Sequence, residues 1–252
     1  DINCGIQVFG SFGIDLPSNF GKLLPEIIKG NLTFVSNKHS GSVDLDVLKV
    51  MGSFFANNLN ITNWKPRHLG KKGGSIVLSK CGNLPDLSSC DVDGNLMVYK
   101  TTVKTDSLPD EVNGNVILCG CNLGKFTSFP NVHGDLTIVG DKTVDFSEVE
   151  GKPVIDGNLT VADDMVKSDL VSLKTLEEKF EVKGKILTTD DSKIVSQMEN
   201  LNGKTYIDFD DNKLSALARA GKEFAEEQFG TLGLLAFKKL YKLKTGKDMP
   251  EK

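Results

Sequence analysis

Arginine is almost missing from this chain: of 30 basic residues among 252, only Arg67 and Arg219 are arginine. Lysine is a compact point charge, whereas arginine supplies the planar fork that reads phosphate and guanine. A chain of net charge −4 with so few forks is not expected to bind nucleic acid. Aromatics are also scarce outside phenylalanine, with one Trp and three Tyr. That scarcity counts against a sugar-binding groove. The three histidines, His39, His68 and His133, are widely separated and have no Cys or Asp at metal-ligand spacing, so zinc is not expected. No apolar run approaches the ~18 residues of a transmembrane helix, so no membrane span is expected. No charged segment followed by an apolar run opens the chain, which starts at Asp1. This argues against an uncleaved signal peptide and is compatible with a removed one. Nucleophile-elbow, Cys/His and phosphate-loop motifs are absent, and no cofactor is expected.

Five cysteines, at 4, 81, 90, 119 and 121, make an odd count. Cys119 and Cys121 are two apart in a predicted strand, on one face, where they cannot readily bond each other. Cys81 and Cys90 are within reach across one turn. The set is read as buried free thiols, which favours a reducing, cytoplasmic setting.

Glycine, by contrast, is abundant, with 25 in all. Ten of them form a ladder: Gly10, Gly30, Gly52, Gly74, Gly94, Gly114, Gly134, Gly157, Gly184 and Gly203, spaced 19 to 27 residues apart. Two and four residues after each glycine the chain is mostly apolar, as in Leu96/Val98, Val116/Leu118 and Leu136/Ile138. Two residues before it stands another apolar residue, as in Val92, Val112 and Val132. Further apolar positions follow at +9 (Val103, Leu123) and +14 (Leu108, Phe129). A period near 20 residues is the signature of a solenoid. One unit cannot bury its own apolar stripe, but units stacked at ~4.8 Å share a continuous core. The glycine is expected to supply positive φ, or close approach of neighbouring coils, at a corner.

The predicted fold is mainly β: a parallel β-solenoid, β-helix-like, of about ten coils with a C-terminal α-helical cap. Residues 1–29 are read as an N-terminal cap with a first degenerate coil. Residues 30–212 are the repeats, with insertions near 57–72 and 163–180. In the second insertion, Leu170, Leu173, Leu176 and Phe180 have helical spacing, with Ser168 or Asp169 as the candidate cap. Residues 213–252 form the cap, whose lysine-flanked apolar stripe is read as docking on the last coil rather than on a membrane. Charge follows this division: residues 82–212 carry −12, while 1–81 and 213–252 carry about +4 each. Basic ends against an acidic body suggest charge complementarity between copies or with a partner.

Two clusters break the repeat. Trp64, Arg67 and His68, with Lys71 and Lys72, form a candidate binding loop, since Trp and Arg are favoured interface anchors. The competing reading folds the Trp back onto the solenoid. Aspartates recur near +6 and +7 in three successive units: Asp163 and Asp164, Asp190 and Asp191, Asp210 and Asp211. They form a possible cation corner or, more simply, turn residues. No dedicated metal set is predicted. Asn31, Asn60 and Asn158 head glycosylation sequons, and Asn31 and Asn158 directly follow a ladder glycine.

The stretch SLPDEVNGNVILCGCNLGKFTSFPNVHGDLTIVG resembles the degenerate leucine-rich-repeat-like solenoids of bacterial and phage proteins, whose units read LP…V.G.L.V. The resemblance covers residues 74–162 well and 10–207 loosely. It implies a binding or scaffold module, of bacterial or phage origin, rather than an enzyme. The Asn or Cys ladder of true leucine-rich repeats is read as absent, which favours a closed parallel β-helix. The expected function is therefore non-enzymatic: binding to a protein partner, or self-association. The alternative is a carbohydrate-active β-helix, a polysaccharide lyase or hydrolase using the aspartate corner.

Overall fold

The computed structural model describes residues 6–10, 27–45, 49–62, 68–69, 74–140, 144–167, 171–190, 192, 194–196 and 248. The chain divides into two compact units, residues 1–202 and 203–252. The first unit holds every element named below. The helical cap expected over 213–252 lies outside the described residues, apart from Asp248.

The described chain is a parallel β-solenoid of two sheets. The long sheet stacks, in order, β1 (Ile6–Gly10), β3 (Leu32–Asp44), β5 (Phe54–Thr62), β7 (Ile76–Ser79), β9 (Leu96–Tyr99), β11 (Val116–Cys119), β13 (Leu136–Val139), β15 (Leu159–Ala162) and β17 (Ile186–Thr189). The second sheet is built of two-residue strands. These are β2 (Ile27–Ile28), β4 (Lys49–Val50), β6 (His68–Leu69), β8 (Asp91–Val92), β10 (Glu111–Val112), β12 (Asn131–Val132), β14 (Val154–Ile155) and β16 (Glu181–Val182). Every pairing is parallel, and equivalent ladder positions meet: Leu96 with Val116, Val116 with Leu136, Leu136 with Leu159. Nine long-sheet strands thus stand where ten coils were expected. Eight of the ten glycines precede a long-sheet strand. Gly10 instead ends β1, opposite Ser36. Gly203 lies outside the described residues.

The sequence rule behind each coil is a strand with residues +2, +4 and +5 turned inward. The four-residue strands from β7 to β15 share this pattern, with only the second residue half-exposed. At +6 the chain turns the corner in the left-handed region: Asn58, Lys80, Lys100, Gly120 and Gly140 all have φ between 45° and 68°. The ladder glycines serve a different purpose. At Gly114 a Cβ would lie 2.6 Å from the Gly94 carbonyl oxygen and 2.6 Å from Asn95 Oδ1. The amides of Gly52, Gly114, Gly134, Gly157 and Gly184 also donate to the carbonyl of the ladder glycine one coil earlier, as Gly114 N to Gly94 O at 3.0 Å and Gly134 N to Gly114 O at 3.1 Å. Close approach, not backbone conformation, is what demands glycine there.

One residue further on runs a polar ladder. Asn31 accepts from Ser53 N, and the chain of acceptors continues through Ser53, Ser75, Asn95, Asn115, Asp135 and Asn158 to Lys185 N, at 2.7 to 3.0 Å. This ladder of asparagine, serine and aspartate, one residue past the glycine, was not anticipated from the sequence, and it is not at the position where leucine-rich repeats carry their Asn or Cys ladder. It also accounts for two sequons, because Asn31 and Asn158 are rungs of the ladder. A second ladder lies at +7, where Cys81, Thr101 and Cys121 are buried. Cys121 Sγ donates to Val98 O at 3.3 Å, Thr101 Oγ1 donates to Tyr99 O at 3.0 Å, and Cys81 N donates to Thr101 Oγ1 at 3.1 Å. These groups satisfy backbone atoms that the corner leaves unpaired.

The interior is filled by the predicted positions: Leu96, Val98, Val116, Leu118, Val103, Leu123, Leu108 and Phe129 are all buried. Phenylalanine supplies the bulk. Phe126 and Phe146, from successive coils, stack at 5.9 Å; Phe129 meets both edge-on at 5.3 and 6.2 Å, and Phe180 meets Phe146 and Phe129 edge-on at 5.4 and 5.6 Å. Residues 57–62, placed in an insertion by sequence, continue β5. The second insertion forms two short helices, α1 (Asp163–Lys167) and α2 (Leu173–Lys179). The cap of α2 is Ser172, whose hydroxyl accepts from Thr175 N at 3.0 Å, rather than Ser168 or Asp169.

The four described cysteines, Cys81, Cys90, Cys119 and Cys121, are buried and form no disulfide with one another. Burial pushes the Cys81 thiol up to about 11. At pH 8 it is therefore almost entirely protonated and a poor nucleophile. Native protein treated with iodoacetamide at pH 8 is expected to leave Cys81 unmodified by mass spectrometry, while urea-unfolded protein labels fully. Labelling of Cys81 at the rate of a free thiol in the native protein would contradict the burial described here.

Candidate functional site

The solenoid presents two faces of opposite character. On the long sheet, +1 and +3 point outward. The +1 column is the polar ladder, whose side chains are turned onto the backbone of the next coil. The +3 column runs in strict register from Thr33 through Phe55, Val77, Met97, Ile117, Thr137 and Thr160 to Leu187. Phe55 to Thr160 are half-buried, each shielded in part by its column neighbours ~4.8 Å away. Leu187 is 41% exposed. Between Ser53 and Thr160 these two columns contain one charged residue, Asp135, and its Oδ1 is already held by Asn158 N at 2.7 Å.

The second sheet carries the charges. Here −3 and −1 relative to the glycine point outward, and the consecutive coils place Asp93, Asn113, His133, Asp156 and Lys183 at −1. Asn113 Nδ2 donates to Asp93 Oδ1 at 3.2 Å. His133 Nδ1 meets Asp156 Oδ2 at 2.7 Å, His133 Nε2 meets Glu111 Oε1, and Lys183 Nζ meets Asp156 Oδ1 at 2.7 Å. The two carboxylates hold the His133 pKa above its ordinary value, Glu111 more strongly than Asp156. Lys183 and then His133 hold Asp156 below the usual carboxylate range. This cluster was missed in the sequence because His133 was tested for metal spacing along the chain. Its offset from Gly134, compared with that of Asp156 from Gly157, would have found it.

A group with a raised folded pKa binds its proton more tightly in the native state. Its stabilising effect is therefore complete below the unfolded value, near 6.5, and is lost as pH rises through the folded value. In an NMR titration, the His133 imidazole is expected to titrate above a model histidine and to return toward it in Glu111→Gln. A His133 titration at or below the model value would contradict the bridging geometry.

The sequence-predicted sites fare unevenly. Trp64, Arg67, Lys71 and Lys72 lie outside the described residues. His68 is described as part of β6, in register with Asp91 on the charged sheet. Asp163 and Asp164 open α1, where carboxylates complement the exposed amides of a first turn. Asp190 accepts from Ser192 N at 2.9 Å, which also lowers its pKa. Asp191, Asp210 and Asp211 are outside the described residues. The aspartates that are described act as turn and helix-start residues. Among the described residues no group of three His, Cys, Asp or Glu is placed to hold a metal ion. An open hollow of about 580 Å³ lies against the last described coil, floored by Phe180, Val182, Ile186 and Leu187. No helix among the described residues is long and apolar enough to cross a membrane.

Compared with known protein families, with curated proteins and with solved structures, the chain finds no match in any of the three.

Proposed function

We propose that this chain is a non-enzymatic repeat protein that binds or assembles through the outward face of its long sheet. The observation that carries this reading is the near-absence of charge on that face, in a body of net charge −12. Surfaces kept only in water are interspersed with charges. Here the charges are concentrated on the other sheet, and a register column of Phe55, Val77, Met97 and Ile117 takes their place. Depletion of charge around an apolar, aromatic-containing centre marks the core of an interface.

A leucine-rich-repeat-like ancestry agrees with this role. Inward residues at +2, +4, +7 and +9, as in Leu96, Val98, Thr101 and Val103 or Val116, Leu118, Cys121 and Leu123, follow the spacing L-x-L-x-x-(N/C)-x-L. The buried hydroxyl and thiols at +7 stand where such repeats keep their polar ladder. The spacing supports the resemblance to bacterial or phage repeat proteins drawn from the sequence.

The test is site-directed photocrosslinking in the cells that make the protein. A photoreactive residue at Thr137 is expected to yield a discrete crosslinked species, whereas one at Glu111, on the charged sheet, yields none. Crosslinking from Glu111 alone would move the interface to the other face.

A further inference from the structure

We infer that the long-sheet face pairs with the same face of a second copy of this chain, as a two-fold dimer. This rests on the reading that the face is an interface, and it identifies the occupant.

Charge argues first. Burying a charged side chain is unfavourable unless a partner group pairs with it. From Ser53 to Thr160 this face offers only Asp135, and its near oxygen is engaged within the coil. A partner placing acids or lysines here would leave them unpaired. The surface that fits is one equally free of charge, and the chain itself carries one. Like-with-like contact is unfavourable across the second sheet from β8 to β16, where Asp93, Glu111, Asp156 and Glu181 outnumber Lys183 and the bridged His133.

Register argues next. A two-fold interface is self-complementary, so residues equidistant from the axis must face each other. With the axis at Met97, Val77 of one copy meets Ile117 of the other, and Phe55 meets Thr137. Each pairing sets an apolar side chain against another or against a threonine methyl. Aligned sheets pack about 10 Å apart, which side chains of this size fill.

Area sets the strength. The seven strands from Thr33 to Thr160 that an axis at Met97 superposes, ~4.8 Å apart and each four residues or ~13 Å wide, give roughly 450 Å² per copy, or about 900 Å² for the pair. That exceeds most packing contacts and falls below the ~1,200 Å² of stable complexes. The dimer is therefore weak and concentration-dependent, and because it is held by uncharged groups it does not dissolve in salt.

The test is sedimentation velocity on the full chain from micromolar to several hundred micromolar, at low and at high salt. Wild type is expected to shift from monomer to dimer at both salt concentrations. Ile117→Lys, which brings one lysine from each copy to the axis region, is expected to weaken association about a hundredfold. Met97→Lys serves as a second variant, and Asn113→Lys on the other sheet as a control that dimerises like wild type. Circular dichroism verifies folding, which is expected to survive because both substituted positions face outward. Wild type that stays monomeric throughout overturns the proposal. So does a dimer that persists in both face variants, or one that dissociates in salt, which would point to the acidic body meeting basic ends. If wild type is monomeric while Thr137 still crosslinks to a different protein, the face is an interface and only the second copy is wrong.

Discussion

Phe146→Ala is expected to lower the stability of the solenoid by about 3–5 kcal/mol, the range for deleting a buried aromatic ring. Phe146 is 2% exposed and touches three other rings, stacked on Phe126 at 5.9 Å and edge-on to Phe129 and Phe180 at 6.2 and 5.4 Å. These rings come from consecutive coils and from the residue that follows α2. Removing one opens a cavity that its neighbours cannot close without changing the coil spacing, which the backbone ladders fix. The measurement is urea unfolding followed by far-UV circular dichroism, with Thr137→Ala as an outward-facing control expected to stay within about 0.5 kcal/mol. Repeat arrays can unravel from one end, so hydrogen exchange across β11 to β15 provides a local readout. A loss below about 1 kcal/mol with unchanged protection would mean that the phenylalanine cluster is not core.

Gly114→Ala is the second large effect, expected to cost about 3 kcal/mol, the upper end for overpacking. The new methyl would meet the Gly94 carbonyl oxygen at 2.6 Å and carbon at 2.7 Å, neither of which is a flexible side-chain end. Relief requires separating two coils, and with them the Gly114 N to Gly94 O bond of 3.0 Å. Gly151 makes the contrast. It has φ of 78° and nothing within 4 Å of its absent Cβ, so its constraint is conformational. Asparagine enters the left-handed region readily, and Gly151→Asn is expected to change stability by less than about 1 kcal/mol. Denaturant midpoints of the two variants separate the two reasons for glycine. Equal tolerance would refute close approach as the ladder's purpose.

Much of this architecture was legible because a solenoid writes its geometry into the sequence period. Alternation after each glycine gave the inward residues Leu96 and Val98, Val116 and Leu118. The apolar positions at +9 and +14 are the buried Val103, Leu123, Leu108 and Phe129. Less legible was anything set by contact between coils. Asn31 and Asn158 were legible only as heads of sequons, although their side chains accept the amide of the next coil. The inward position at +5 holds Ser79, Tyr99 and Cys119 in successive coils, too varied to read as core. Gly10 matched the spacing and ends a strand instead. His133, Glu111 and Asp156 are 22 and 23 residues apart, so their meeting emerges only when the units are aligned in space. The outward column from Phe55 to Ile117 lay between the inward residues already identified, and its lack of charge is visible only once the two sheets are told apart.

The proposed face exists only if the coils stack in register, one strand per coil. Spin labels on Phe55→Cys and Thr160→Cys, both on the outward column and five strand steps apart, test this directly by double electron–electron resonance. Unlabelled protein is added in excess to suppress signals between copies. In-register stacking predicts a single distribution near ~24 Å between the labelled backbones. A broad distribution, or one centred beyond ~35 Å, would contradict the stacked solenoid and with it the continuous face.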